Sequence, residues 1–116
     1  MEEGVLLNFD IITIGPLVVE IIRKGLDREF YEPAEFQGPY PSGDTPIFIN
    51  AAARLGMKTG MIGSVGDDDF GKCVVDRMKE SGVDLTWLQK QPDSYTGSTF
   101  VTYYSDGSRK FLYHLA

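Results

Sequence analysis

Residues 58–82 read KTGMIGSVGDDDFGKCVVDRMKESG, and this stretch predicts a buried strand followed by a helix. Lys58 to Val65 is dominated by apolar and small residues, which is typical of a strand inside a sheet. Phe70, Val74 and Met78 then recur at the i, i+4, i+8 spacing of one helix face. The final glycine is a helix stop signal, so we expect the helix to end there.

The aspartates Asp67–Asp69 between this strand and this helix invite a metal-site interpretation. An EF-hand needs alternating oxygen ligands and a distant glutamate, and neither spacing is present. Carboxylates just before a helix cap its free amide groups and complement the positive end of its dipole. We therefore predict helix caps here and no metal site.

A second helix is predicted upstream of this stretch. Thr45 is a plausible N-cap, Pro46 suits the first helical position, and Gly56 supplies the stop. Apolar residues recur between them at helical spacing: Ile47, Ala51 and Leu55, with Phe48 and Ala52 beside them. We expect this face of the helix to lie in the core.

The remaining segments have β character. Phe9–Ile14 predicts a buried strand, and Val18–Ile22 resumes an extended pattern after a Gly-Pro break. Glu20 lies inside the second run, where a plain interpretation is an edge-strand carboxylate that faces water. An Asp-Gly pair separates the β-rich runs Ser98–Tyr104 and Arg109–His114, which is a strong hairpin signal.

Composition excludes several classes of protein. The chain has 116 residues, a net charge of −6, one cysteine and one histidine. The acidic balance argues against a nucleic-acid partner, because phosphate neutralisation needs a basic face. A lone cysteine cannot form an internal disulfide, so we expect a cytoplasmic protein. No apolar run approaches the ~20 residues that span a bilayer, so we expect no membrane contact. These features leave a globular α/β or β-rich chain.

The familiar catalytic sets are missing from the sequence. One histidine and one cysteine cannot form the usual His/Cys metal cluster, and Cys73 has no obvious activating neighbour. We interpret it as a packed thiol. The glycines Gly60, Gly63 and Gly66 do not match the G-x-G-x-x-G motif of a dinucleotide site, and no P-loop motif is present. The spacing of these residues alone therefore predicts no catalytic, metal-binding or nucleotide-binding site.

Several short motifs, in their order along the chain, carry a resemblance to a known family. They are Ser42-Gly43-Asp44-Thr45-Pro46, Ile62-Gly63-Ser64-Val65-Gly66-Asp67-Asp68-Asp69-Phe70-Gly71, Ser81-Gly82-Val83-Asp84, Thr96-Gly97 and Asp106-Gly107-Ser108-Arg109. This order resembles the amino-terminal part of the ribokinase-like carbohydrate kinases, also called the phosphofructokinase-B family. The resemblance runs from about Phe9 to the end, and its Val-Gly-Asp-Asp-x-Phe-Gly string is specific.

The resemblance implies an α/β fold, with a partial, doubly wound ribokinase-like sheet and a small β-clasp lid. Residues 1–116 would then be a truncated amino-terminal part of one sugar-kinase domain. The implied lid segments are about 17–42 and about 95–114. The implied α/β core segments are about 5–16 and about 43–94.

The resemblance also implies substrate-binding residues. Glu20 matches a position where the family usually has an aspartate that binds sugar hydroxyls. Gly43 lies in the family's glycine pair, which lets the backbone approach the sugar closely. Asp44 follows at a position that often makes another substrate contact.

One departure concerns the family's substrate-binding asparagine, whose position falls on Ile47 in this sequence. Asn50 lies one helical turn later, where it serves either a shifted binding site or only a polar gap. The departure favours a subgroup that resembles fructokinases or ketodeoxygluconate-kinase-like enzymes. Thr99 and His114 match hairpin positions that touch substrate in the latter. His114 is either an ordinary hairpin residue or a contact for a polar or anionic sugar end.

The implied activity is ATP-dependent phosphorylation of a sugar or sugar-acid hydroxyl, with this chain supplying the sugar-binding and lid half. ATP and Mg²⁺ are the implied cofactors of the parent enzyme. The family's Gly-Ala-Gly-Asp motif, which carries the catalytic base, is absent from these residues, so we expect the chain alone to be inactive. The alternative is a non-catalytic sugar-binding or interaction module. Unpaired lid strands also lead us to expect a homodimer.

Overall fold

The structure is a computed structural model that describes residues 8–115. Its strands are β1 (Ile11–Ile14), β2 (Val18–Leu26), β3 (Phe36–Ser42), β4 (Thr59–Gly66), β5 (Leu88–Gln91), β6 (Gly97–Tyr103) and β7 (Arg109–His114). Its helices are α1 (Asp44–Arg54) and α2 (Asp69–Ser81). Neither helix is long and apolar enough to cross a bilayer.

The strands of this part of the chain form two sheets. A parallel sheet has the order β1-β4-β5, and a mixed sheet has the order β3-β2-β6-β7. β6 and β7 are antiparallel neighbours, which confirms the predicted hairpin. β2 lies between β3 and β6, so the interpretation of Glu20 as an edge-strand residue is wrong.

The hydrophobic core lies between the two helices and one face of the parallel sheet. Its buried members come from both sheets, both helices and the loops next to them: Leu17, Val19, Ile49, Met61, Val65, Val74, Met78 and Val83. Leu17 and Val19 belong to the start of β2 and the loop before it. The mixed sheet therefore contributes its own side chains to the core of the parallel one.

Helix α2 agrees with the sequence prediction. Asp68 is its N-cap, and Gly82 closes it in the left-handed conformation. Val74 and Met78 are buried, as their spacing predicts, and Phe70 is half-buried against the same core.

Helix α1 differs from its prediction in two respects. It begins at Asp44 after a Gly43 N-cap, and the Thr45 hydroxyl is buried without a hydrogen-bond partner in the described region. Its core face carries Ile49 and Ala52, whereas Ile47 and Leu55 are exposed. The predicted face, Ile47, Ala51 and Leu55, is therefore wrong. The helix carries apolar side chains around most of its circumference. Periodicity alone therefore could not predict which side contacts the sheet.

One carboxylate, that of Asp68, connects the two sheets. Its side chain accepts hydrogen bonds from the Gly71 amide at 2.8 Å, the Thr96 amide at 2.8 Å and the Thr96 hydroxyl at 2.7 Å. The Thr96 hydroxyl oxygen in turn accepts from the Gly66 amide at 2.9 Å. Burial acts to raise the pKa of the Asp68 carboxyl, but these hydrogen bonds outweigh it and the net pKa lies below its ordinary value of 3.8.

We predict that Asp68→Ala lowers the free energy of unfolding by about 1–2 kcal/mol at neutral pH, because an N-cap and the link to Thr96 are both lost. A depressed pKa means that the stabilisation is present above pH 3.8 and disappears as the pH falls below it. Urea denaturation at pH 7 and at pH 3 measures both effects. Asp69→Ala is the control, with an expected loss of only about 0.3 kcal/mol from the helix dipole. Equal losses in the two variants would contradict the prediction.

Candidate functional site

A cavity of about 300 Å³ lies where the mixed sheet meets the first turn of α1. Its lining comes from both sheet and helix: Pro16, Val18, Glu20, Ser42, Gly43, Asp44, Ile47, Thr99, Phe111, Tyr113 and Leu115. We call it the sheet–helix cavity. Four predicted site residues, Glu20, Gly43, Asp44 and Thr99, therefore lie together.

The register of the mixed sheet explains why these side chains meet. Glu20 is aligned with Tyr40 on one side and Thr99 on the other, and Thr99 is aligned with Tyr113. Residues directly opposite in neighbouring strands share a face of the sheet. The Glu20 carboxylate also accepts a hydrogen bond of 3.4 Å from the Ser42 hydroxyl. A row of polar and aromatic side chains thus crosses the sheet at the cavity.

Gly43 forms the floor of the cavity in a conformation that favours glycine. Its φ is 112° and its ψ is 146°. A Cβ atom at this position would lie 2.7 Å from the carbonyl oxygen of Pro16. No side chain of residues 8–115 caps the helix that starts here, so amide groups of its first turn are available to ligand oxygens.

The chemistry of the sheet–helix cavity suits a small, uncharged, polyhydroxylated ligand. Two carboxylates, those of Glu20 and Asp44, can accept hydrogen bonds, and three hydroxyls, those of Ser42, Thr99 and Tyr113, can accept or donate them. Aromatic and aliphatic side chains supply the apolar wall. The part of the chain between residues 8 and 115 contributes no lysine, arginine or histidine to this lining. In the same range, no group of three or more potential ligands is arranged to hold a metal ion.

His114 lies on the other face of the mixed sheet. It is aligned with Ser98, the neighbour of Thr99, so the two predicted residues point in opposite directions. Its ring contacts that of Phe100 edge to face, with 5.8 Å between the centroids. His114 lines a separate, open cavity of about 670 Å³ beside Asp68 and Thr96. The structure does not bring it to the sheet–helix cavity.

Asn50 is also placed elsewhere. It lines a cavity of about 310 Å³ between α1 and α2, together with Arg54 and Arg77. Its Oδ1 atom is buried and has no hydrogen-bond partner among the described residues. Ile47, at the position of the family's asparagine, lines both this cavity and the sheet–helix cavity.

Phe111 and Tyr113 line the sheet–helix cavity, although neither residue was among the site residues predicted from the sequence. The signal that could have found them is the hairpin itself. Once the turn is placed at residues 105–108, antiparallel pairing aligns Tyr113 with Thr99 and Phe111 with Val101. Every second residue of β7 then shares the face of Thr99.

Cys73 behaves as the packed thiol that the sequence predicts. It is half-buried on α2, and its Sγ atom lies 3.7 Å from the Pro39 carbonyl oxygen. Burial raises the pKa of the thiol, which leaves less of the nucleophilic thiolate at neutral pH.

The described residues define an α/β protein. Its parallel sheet and two helices form one part, its mixed sheet forms the other, and the sheet–helix cavity lies between them. The family model described as "pfkB family carbohydrate kinase" matches residues 40–116. The chain belongs to this family of carbohydrate kinases, which confirms the resemblance inferred from its motifs.

Relatives of this chain include enzymes named for different sugars. A 5-dehydro-2-deoxygluconokinase from Geobacillus thermodenitrificans is 34% identical over 93 residues, which are 79% of this chain and 27% of that protein. A "Probable fructokinase-3" from Arabidopsis thaliana is 34% identical over 113 residues, or 97% of this chain and 31% of the relative. The chain thus spans less than a third of the length of either relative.

Solved structures confirm the predicted ribokinase-like fold. The apo crystal structure of a "putative Ribokinase II" from E. coli is 41% identical and superposes with a TM-score of 0.87. That match covers 89% of this chain and 33% of the E. coli chain. The same protein in complex with ATP and Mg²⁺ gives a TM-score of 0.84, also at 41% identity and with 89% and 32% of the two chains covered.

We predict that Gly43→Ala lowers the free energy of unfolding by about 2–3 kcal/mol, because the new methyl group meets the Pro16 carbonyl in a backbone region that alanine avoids. Gly56→Ala is the matched control. Gly56 also has a positive φ, of 93°, but no described atom of another residue lies within 4 Å of the position that its Cβ atom would take. We expect a loss of about 1 kcal/mol there. Urea denaturation measures the free energy of unfolding of both variants. Equal losses would show that the contact with the Pro16 carbonyl does not destabilise the Gly43→Ala variant.

Proposed function

We propose that this chain supplies the sugar-binding and lid half of an ATP-dependent carbohydrate kinase. The observation that carries the proposal is the sheet–helix cavity, in which Glu20, Asp44 and Thr99 face a space of about 300 Å³. A space of this size matches a monosaccharide better than a larger ligand. The family membership supplies the reaction class, which is phosphoryl transfer to a sugar hydroxyl.

Each lining residue has a role in this proposal. A carboxylate can accept hydrogen bonds from two neighbouring hydroxyl groups at once, and Glu20 and Asp44 would do so from opposite sides of the cavity. The Thr99 hydroxyl would add a donor. Phe111 and Tyr113 would pack against the apolar C–H face of the sugar ring. Amide groups in the first turn of α1 would complete the polar contacts.

The mixed sheet acts as the lid in this proposal. It forms one wall of the cavity through β2, β6 and β7, and α1 forms the other. Closure of such a sheet over a bound sugar would exclude water, which otherwise competes with the sugar for the γ-phosphoryl group of ATP.

The cavity favours a neutral sugar over a sugar acid. Glu20 and Asp44 would repel the carboxylate of a sugar acid, and no cation from residues 8–115 lines the space. His114, the candidate contact for an anionic sugar end, lies on the other face of the sheet. A hexose, as in the name of the fructokinase relative, is therefore the first substrate to test.

ATP and Mg²⁺ would bind the parent enzyme mainly through residues outside this chain. ATP supplies the transferred phosphoryl group. We propose that this chain holds no catalytic residue and that its role is to bind and orient the sugar. Both ATP and Mg²⁺ are bound in the structure of the E. coli relative.

The exposed face of the parallel sheet supports the proposal that the chain is part of a larger domain. Ile12, Ile14 and Ile62 share this face, and they are 37%, 72% and 37% exposed. Parallel sheets are almost always covered on both faces, and both helices of residues 8–115 pack on the opposite one. In a complete kinase domain, further helices would cover this row.

Two further features of the parent enzyme stay predictions. We place it in the cytoplasm on the strength of its single cysteine and its acidic composition. Self-association would use β3 and β7, which are the edge strands of the mixed sheet. Sedimentation velocity of the chain tests the prediction of self-association. A single monomeric boundary would contradict it.

We predict that the chain binds fructose and that Glu20→Gln weakens this binding about tenfold, because a charge-assisted hydrogen bond is lost. Isothermal titration calorimetry at neutral pH measures the affinity. Glu80→Gln, on the exposed side of α2, is a control that removes the same charge far from the cavity. Equal weakening in both variants would exclude the sheet–helix cavity as the sugar site.

We predict that the chain by itself produces no ADP from ATP and Mg²⁺, with or without fructose, because the catalytic base lies outside it. A coupled ADP assay with the pure chain measures this. Sugar-dependent ADP formation would overturn the proposal that this chain binds the sugar but holds no catalytic residue. A chain that binds fructose, forms no ADP and is the complete gene product would instead be the non-catalytic sugar-binding module.

A further inference from the structure

The cavity between α1 and α2 is separate from the proposed sugar site and has a different chemistry. We call it the interhelical cavity. Its volume is about 310 Å³, and its lining comes from both helices and the end of β3: Pro41, Pro46, Ile47, Asn50, Ala51, Arg54, Arg77 and Met78. It contains two cationic side chains, and no carboxylate from residues 8–115 lines it. The sheet–helix cavity has the reverse composition.

The two arginines extend along the same stretch of α2. The Nε atom of Arg54 donates a hydrogen bond of 3.0 Å to the Ser81 hydroxyl, so this side chain crosses from α1 to α2. Arg77 precedes Ser81 by four residues, which places both on one side of α2. The Arg54 guanidinium group therefore lies on the side of α2 that carries Arg77, and both side chains line the interhelical cavity.

Neither arginine has an acidic partner in the part of the chain that the structure describes. Ion pairs there involve other basic residues: Lys24, Arg28, Lys72, Lys90 and Lys110. The chain has a net charge of −6, so acidic groups are plentiful, yet none of those within residues 8–115 forms an ion pair with Arg54 or Arg77. Two neighbouring cations repel each other, and an anion bound between them removes the repulsion.

Asn50 adds a neutral polar group to the wall of the interhelical cavity. Its buried Oδ1 atom has no donor among residues 8–115. A buried acceptor without a donor costs free energy, and the Asn50 amide would remove that cost by turning its oxygen toward a ligand hydroxyl group in the cavity. The apolar side chains of Pro46, Ile47 and Met78 would contact the carbon atoms of the same ligand.

We propose that the interhelical cavity binds a small phosphate ester that carries hydroxyl groups. Guanidinium groups bind phosphate oxygens through paired hydrogen bonds, which assigns the phosphate to Arg54 and Arg77. The Asn50 oxygen accepts from a hydroxyl group of the same ligand. The site lies outside the sugar cavity, and it requires neither the sugar nor the phosphoryl-transfer reaction.

The test is calorimetric titration of the full chain with two probes, inorganic phosphate and glycerol 3-phosphate. We expect saturable binding of both, with glycerol 3-phosphate the tighter ligand because only it carries a hydroxyl group for Asn50. Arg77→Gln should weaken both at least about tenfold, since a charge-assisted hydrogen bond is lost. Arg77→Lys keeps the charge but loses the paired geometry, so an intermediate affinity is expected.

Three controls make the result specific. Lys79→Gln removes an exposed charge from the same helix outside the cavity and should leave both affinities unchanged. Asn50→Ala should abolish the preference for glycerol 3-phosphate while inorganic phosphate still binds. Glu20→Gln, which alters the sugar cavity, should not weaken either probe, so a failure of the proposed sugar site leaves this test intact.

Circular dichroism first establishes that the chain is folded. The proposal is overturned if neither probe then binds saturably in the calorimetric titration. It is also overturned if Lys79→Gln weakens binding as much as Arg77→Gln does, since the effect would then reflect net charge alone. Equal affinities for the two probes in the unmodified chain would overturn the assignment of a hydroxyl-bearing ester.

Discussion

The hydrogen bonds to the Asp68 carboxylate connect the parallel sheet, helix α2 and the mixed sheet at one side chain. They cap α2 through the Gly71 amide and attach the start of β6 through both the amide and the hydroxyl of Thr96. The Thr96 hydroxyl oxygen accepts from the Gly66 amide at the end of β4. Hydrogen bonds to an ionised group are shorter and stronger than neutral ones. One side chain thus fixes the parallel sheet, a helix and the strand that carries Thr99 relative to one another.

The candidate site follows from this arrangement. Because side chains alternate along a strand, the start of β2 contributes Val19 to the core and Glu20 to the sheet–helix cavity. The carboxylate is therefore carried by a strand that is anchored on its other face. A ligand-binding residue on such an element is held more rigidly than one on a loop. The two carboxylates of this cavity and the two arginines of the interhelical cavity give the chain separate surfaces of opposite charge, with Ile47 lining both.

The two helices show how far sequence periodicity extends. In α2 the apolar residues lie on one side of the helix and most charged residues lie on the other, so periodicity predicted that Val74 and Met78 are buried, and they are. In α1 apolar residues occur around most of the circumference, and the helix could turn any of several sides to the sheet. Packing selected Ile49 and Ala52 and left Ile47 exposed to the cavities. The motifs around Asp68 and Thr96 likewise predicted the family without revealing that these two residues are in contact.

The sequence by itself determined the class of the protein, the two helices and five of the seven strands of residues 8–115, and four residues that line the candidate site. Short motifs and helix or strand periodicity are local properties, so they can be read without coordinates. Only the tertiary structure decided which candidates meet. Glu20 and Thr99 lie far apart in the sequence, and they meet only because β2 pairs with β6 in the register that aligns them. The physical reason is register: a shift of one residue along a strand reverses the side to which every side chain points.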